Sequence, residues 1–213
     1  MVFRDRAEAG KKLAGKLSEF SGRSDVLLYA LPRGGVAVGV EVAKALALPL
    51  DVIVTRKIGA PSNEEYAIGA LAETGEIVWN EGEKAANDPK RVERIVATER
   101  AEAARRVEAY RSGRALPSFH GKTVIIVDDG IATGLTMNAA VEAARHQGAT
   151  RIIVSVPHGA KESLEELRRT GVEVIALSEP ASYGAVGQFY SEFQQLEDSD
   201  VTRLLQPFAY SYE

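Results

Sequence analysis

Most of the short apolar runs in this chain are apolar on both faces, a pattern that belongs to strands covered above and below. The runs are VLLYAL (26–31), DVIVT (51–55), AIGAL (67–71), EIVWN (76–80), TVIIVD (123–128), RIIVSV (151–156) and EVIALS (173–178). Helical patterns separate them at Gly35–Leu46, Leu135–Gln147 and Lys161–Arg169, and Gly148 and Gly171 stop the last two. Strand and helix in alternation predict the α/β class, with a doubly wound, mostly parallel sheet. The runs at 67–71 and 76–80, joined through Glu73-Thr74-Gly75, predict an antiparallel hairpin at one sheet edge. The 213 residues carry no internal repeat and no low-complexity linker, so 1–213 reads as a single domain.

Two segments interrupt the alternation. Residues 81–115 read as an inserted helical segment, because 89–111 mixes charges of both signs around an apolar stripe of Val92, Ile95, Val96, Val107 and Tyr110. That stripe suits internal packing or contact between copies, and a homo-oligomer, a dimer, is expected. Residues 180–213 hold Tyr183, Phe189, Tyr190, Phe193 and Phe208 and predict a C-terminal cap over the sheet edge. The absence of cysteine excludes disulfides and thiolate chemistry and suits a reducing cytoplasm. Residues 1–20 are charged throughout and predict no signal peptide, and no stretch reaches the roughly 18 apolar residues that a membrane span needs. A net charge of −4 argues against nucleic acid or anionic lipid as partner and fits a small anionic ligand in a local basic pocket.

The segment VIIVDDGIATGLTM (124–137) carries the most chemistry. Its apolar strand delivers Asp128 and Asp129 to the carboxyl end of a sheet, and the helix that follows points its N-terminus into the same turn. Backbone N–H groups from Ala132, Thr133, Gly134, Leu135 and Thr136, with two threonine hydroxyls, can donate to phosphate oxygens. The carboxylates would repel phosphate, so they suit acceptors for a pair of sugar hydroxyls, with or without a divalent ion. A diol beside a phosphate is what a phosphoribosyl group presents. No P-loop lysine follows the turn and no Gly-x-Gly-x-x-Gly occurs, which disfavours nucleoside triphosphate and dinucleotide sites.

This motif resembles the signature of type I phosphoribosyltransferases. The resemblance implies that family's fold, with an edge hairpin or mobile loop and a C-terminal hood, and implies 5-phosphoribosyl 1-pyrophosphate (PRPP) as donor with Mg²⁺. The turn Arg33-Gly34-Gly35 is similar to the one that grips pyrophosphate in such enzymes: glycines let the backbone approach an anion and Arg33 can bind it in two places. Arg56-Lys57, leading into the Gly-, Pro- and Asn-bearing stretch 58–66, resembles the start of the mobile loop of adenine phosphoribosyltransferases. Lys57 is the residue expected to neutralise the leaving pyrophosphate, with Arg33 and Asp129 as its catalytic partners. Hypoxanthine-guanine members usually carry an acid where this chain has Ala132, so the proton-transfer group is unassigned, Glu64 and Glu65 being the loop candidates. Tyr183 and Val186 are the expected contacts of an acceptor base in the hood. His158, just after a strand on the ligand edge, reads as an ordinary loop histidine. The expected activity is transfer of the 5-phosphoribosyl group to a nitrogenous acceptor, a nucleobase; the alternative is a non-catalytic PRPP-binding regulator on the same fold.

Overall fold

The apolar runs form two sheets. In the computed structural model, which describes residues 1–208, the elements in chain order are α1 (Arg6–Lys16), β1 (Val26–Ala30), α2 (Gly34–Leu46), β2 (Leu50–Val52), β3 (Thr55–Ala60), β4 (Asn63–Ala72), β5 (Ile77–Trp79), α3 (Glu81–Ala85), α4 (Pro89–Arg111), β6 (Thr123–Val127), α5 (Leu135–His146), β7 (Arg151–His158), α6 (Lys161–Arg169), β8 (Glu173–Ser178) and α7 (Asp198–Leu205). Five parallel strands in the order β2-β1-β6-β7-β8 make the main sheet, and β3-β4-β5 make a second, antiparallel one. The order reverses between β1 and β6, and in an open parallel sheet the crevice at such a reversal, beyond the strands' carboxyl ends, is where ligands bind.

Alternate side chains of the main sheet serve two cores. Leu28, Ile125, Val127 and Ile153 pack toward α1 and α2, while Val124, Ile126, Val154 and Val156 pack toward α5 and α6. Helix α5 comes close because Ala139, Ala140, Ala143 and Ala144 keep its inner face small, all four fully buried. Helix α1 has no counterpart among the predicted helices. Its local signal is Asp5, whose carboxylate takes the Glu8 N–H at 2.7 Å, and Glu8, which reaches back to the Arg4 N–H at 2.6 Å, an acid-x-x-acid start of the capping-box kind.

The hairpin expected at an edge of the main sheet belongs instead to the second sheet. Chain 55–60, read as a strand end running into a mobile loop, is a full strand paired with β4, Thr55 opposite Ala72 and Ala60 opposite Asn63. Strand propensity is a matter of what the pleated surface packs against. Here Ile58, Ile68 and Leu71 are buried against the α4 side, and Gly59 admits the Glu64 backbone where a Cβ would collide with it. Helix α4 spans the residues predicted for it, and its stripe is consumed within the chain: Val92 and Tyr110 are buried, and Ile95, Val96 and Val107 pack on the same core. The cap is an irregular crossing with a short 3-10 turn at Val186–Phe189, followed by α7; residues 209–213 of the predicted cap lie outside the described residues.

Candidate active site

The carboxyl ends of β1 and β6 deliver Arg33-Gly34-Gly35 and Asp128-Asp129 side by side, as the strand order requires. Contact is close enough to demand both glycines: a Cβ on Gly34 would run into the Asp129 carboxylate, and one on Gly35 would lie 2.9 Å from the Asp128 backbone and the Val127 carbonyl. The Pro32–Arg33 peptide bond in this turn is cis. A cleft of about 240 Å³ opens over the β6–α5 turn, lined by Asp128 through Thr136 and by Lys57, Ala67 and Val186. Gly134 adopts φ 74° immediately before α5, a conformation that favours glycine, and so points the unpaired first-turn N–H groups of the helix into the turn. The loop is anchored from behind: Ile131 N–H donates to the His158 carbonyl at 3.1 Å, and the Ser163 hydroxyl of α6 donates to the Ala132 carbonyl at 2.6 Å.

The two carboxylates are unlike one another. Asp128 Oδ1 accepts the Asp129 N–H at 2.8 Å, and burial, reinforced by the neighbouring Asp129 charge, holds the Asp128 carboxyl well above the usual carboxylate range. Asp129 meets Arg6 of α1, Nε to Oδ2 at 2.8 Å, and its carbonyl accepts the Tyr190 hydroxyl at 2.6 Å. Among the described residues no three acidic or histidine side chains gather as a metal cluster. Two adjacent carboxylates, one of them costly to ionise without a cation, do fit a Mg²⁺ that arrives on substrate oxygens, since that ion commonly takes one or two carboxylates with substrate phosphates.

The other sequence-predicted residues fall into three groups. Lys57 lines the cleft, with its ammonium on Glu65 Oε2 at 2.9 Å, so that Glu65 is held as its counter-ion. Arg33 stands beside the cleft and its guanidinium turns to the start of α7, 3.5 Å from Glu197 and 3.7 Å from Asp198. Arg56 stands apart. Adjacent strand residues point to opposite faces, and Arg56 pairs with Glu99 of α4 at 2.6 Å, outside the cleft lining. In the hood Val186 reaches the cleft, whereas Tyr183 stacks on Phe189 with centroids 4.9 Å apart and its hydroxyl meets His158 Nδ1 at 2.8 Å.

His158 is no ordinary loop histidine. It ends β7, is fully buried, stacks on Phe189 at 4.4 Å, and lies where a Cβ on Gly130 would strike its ring. Burial lowers its pKa from 6.5 to about 4, so the ring is neutral in the folded chain. Because the folded value is the lower one, the associated stability is complete above pH 6.5 and is lost as pH falls through about 4. At about 1.4 kcal/mol for each tenfold change in proton affinity, the loss is on the order of 3 kcal/mol. Urea unfolding near neutrality and near pH 4 should show that slope in the wild type and a flatter one in His158→Gln; identical slopes refute it.

The chain matches the model of the phosphoribosyl transferase domain over residues 4–194. It is 41% identical over 206 residues to a Mycobacterium tuberculosis (strain ATCC 25618 / H37Rv) protein whose name provisionally assigns it as a phosphoribosyl transferase, the match covering 96% of this chain and 46% of that protein. The chain thus spans about half the length of the curated relatives it matches. The solved structure of TT1426 from Thermus thermophilus aligns with a TM-score of 0.79 at 40% identity, over 98% of this chain and 100% of that one. The AQ2163 protein from Aquifex aeolicus, at 13% identity and a TM-score of 0.54 over 98% and 87% of the two chains, shares the fold alone. Matched by that domain model from residue 4 to 194 and by relatives at 40% and 41% identity along nearly its whole length, this chain belongs to the phosphoribosyl transferase family.

Proposed function

We propose that this chain moves the 5-phosphoribosyl group of PRPP to a nitrogenous acceptor, a nucleobase, and releases pyrophosphate. One observation carries the reading: the reversal of strand order sets the Gly-Gly turn against a carboxylate pair that shares one cleft with a helix N-terminus, and Lys57 of the second sheet lines the same cleft. The α5 N-terminus holds the 5-phosphate through backbone N–H groups and the Thr133 and Thr136 hydroxyls. Asp128 and Asp129 accept from the sugar diol, fixing the ring so that its anomeric carbon faces the acceptor. The first turn of α2 at Gly34 and Gly35 receives the pyrophosphate, and Lys57 reaches it from β3. As the bond to pyrophosphate lengthens, negative charge accumulates on the departing group and positive charge on the sugar, and a fixed ammonium beside the former lowers the barrier. Asp128 and Asp129 would hold a Mg²⁺ bound with the donor, and that ion would supply further charge neutralisation for the departing group. Val186 borders the acceptor side. Lys57 must exchange Glu65 for the phosphate, and Arg33 must leave Glu197 and Asp198 to take part.

Incubation with PRPP, Mg²⁺ and a panel of bases and amines, following pyrophosphate release, tests the reading. Release that depends on one acceptor is expected. Tight donor binding with no release under any acceptor overturns catalysis in favour of a PRPP-binding regulator.

A further inference from the structure

Arg6 lies outside the motifs of the donor site, more than a hundred residues from the turn it touches, and its surroundings are built for one task. Its Nε donates to Asp129 Oδ2 at 2.8 Å, its Nη1 donates to the Gln194 carbonyl at 2.7 Å, and its guanidinium lies 4.0 Å from the centroid of the Phe193 ring. The two side chains of the ion pair are 10% and 12% exposed, so the charge on each depends on the other. The tail that supplies Gln194 and Phe193 is itself laced to the N-terminal segment: Phe3 N–H donates to the Phe189 carbonyl, Ser191 N–H to the Phe3 carbonyl and Glu192 N–H to the Arg4 carbonyl, each at 2.8 Å. Tyr190 closes the frame through the Asp129 carbonyl.

From this geometry we propose, resting on the donor reading above, that Arg6 is a positioning residue that presents Asp129 to the ribose hydroxyls. A carboxylate beside a second carboxylate, facing a ligand with several negative charges, would both repel that ligand and rotate freely. Arg6 removes both difficulties. It occupies Oδ2, which leaves Oδ1 as the lone-pair acceptor for a hydroxyl, and it supplies a compensating charge from outside the cleft. The direct bond goes to Asp129; Asp128 Oδ1 is held by a backbone N–H. The guanidinium itself is clamped on three sides, by carboxylate, carbonyl and aromatic face, a set that suits the planar fork of arginine and not the point charge of lysine.

Titration calorimetry with PRPP and Mg²⁺, and separately with ribose 5-phosphate and 2-deoxyribose 5-phosphate, tests the assignment in the wild type, Arg6→Ala and Arg6→Lys. Removing the outer partner of a ligating group typically costs about 10–100-fold, and that loss of PRPP affinity is expected for Arg6→Ala. The preference for ribose over deoxyribose phosphate should shrink with it, and Arg6→Lys should recover part of both. Where Arg6→Ala does not stay folded, Arg6→Lys carries the comparison. A uniform loss that leaves the sugar preference intact assigns Arg6 to holding the hood alone and overturns the proposal. Unchanged affinities also overturn it while the donor reading stands; a wild type that binds no PRPP overturns both.

Discussion

Asp128→Asn combined with Asp129→Asn is expected to abolish the proposed PRPP binding and to leave the chain folded. A hydrogen bond to a charged group contributes about 1.5–3 kcal/mol, and every 1.4 kcal/mol is about tenfold in affinity. Losing two such bonds to the sugar diol therefore raises Kd by roughly 10²–10⁴. Asp129→Asn takes away the carboxylate that pairs with the nearly buried Arg6, whereas at Asp128 the fold has little to lose, because burial and the Asp129 charge already push its carboxyl upward and a neutral amide ends that conflict. Active sites commonly hold stability in arrangements of this kind and release it when function is removed. The expected result is a chain that still folds, with an unfolding midpoint lowered by the lost Arg6 pair, while calorimetry shows no donor heat; Asp128→Asn alone holds or raises the midpoint. Unchanged donor affinity would sink the assignment of the diol site, and a collapsed fold would return the pair to a structural role.

The features that sequence reveals here are those written contiguously. Strand 123–127, turn and helix 135–146 follow one another without interruption, so residue types and spacing suffice to place them. Helix 89–111 is equally plain, with Pro89 at its first turn behind the capping Asp88 and a single apolar stripe. Hidden features depend on distant partners. Nothing near Thr55–Ala60 says that Gly59 will face the Glu64 backbone, and a stretch of Gly, Pro, Ser and Asn reads as loop until its partner strand is known. Arg6 shows no role until the fold brings α1 to the β6 turn, and His158 reads as exposed until Phe3, Phe189 and Tyr190 close over it. Arg56 and Lys57 show the same limit within two residues. The pleat sends one to Glu99 and the other to the cleft, and the register that decides between them is set by Ala70 and Leu71 on the opposite strand.

Arg111→Met destabilises the chain by about 3–5 kcal/mol, the usual cost of removing one partner from a buried ion pair. Arg111 ends α4 fully buried, its guanidinium on the Glu73 carboxylate and on the Val52 carbonyl at 3.3 Å. Glu73 in turn accepts the Val54 N–H at 2.7 Å, so α4, the β4–β5 turn and the end of β2 share one charged junction. Burial pushes the Glu73 carboxyl up even with Arg111 beside it, which means that desolvation outweighs the attraction. Such a pair tolerates joint replacement better than the loss of one member. For a chain of this size the single change lowers the unfolding midpoint by on the order of 10 °C, and Arg111→Met with Glu73→Leu recovers part of it. Strictly additive losses, or a single-variant cost below about 1 kcal/mol, would show the junction to be peripheral. The consequence for function follows from what the junction joins. The second sheet carries Lys57 and the main sheet delivers Asp128 and Asp129, and Arg111 pins the β4–β5 turn to the end of β2 between the two sheets. In the proposed reaction a loosened pin would misplace the lysine relative to the donor, so turnover of Arg111→Met is expected to fall further than its folded fraction alone requires.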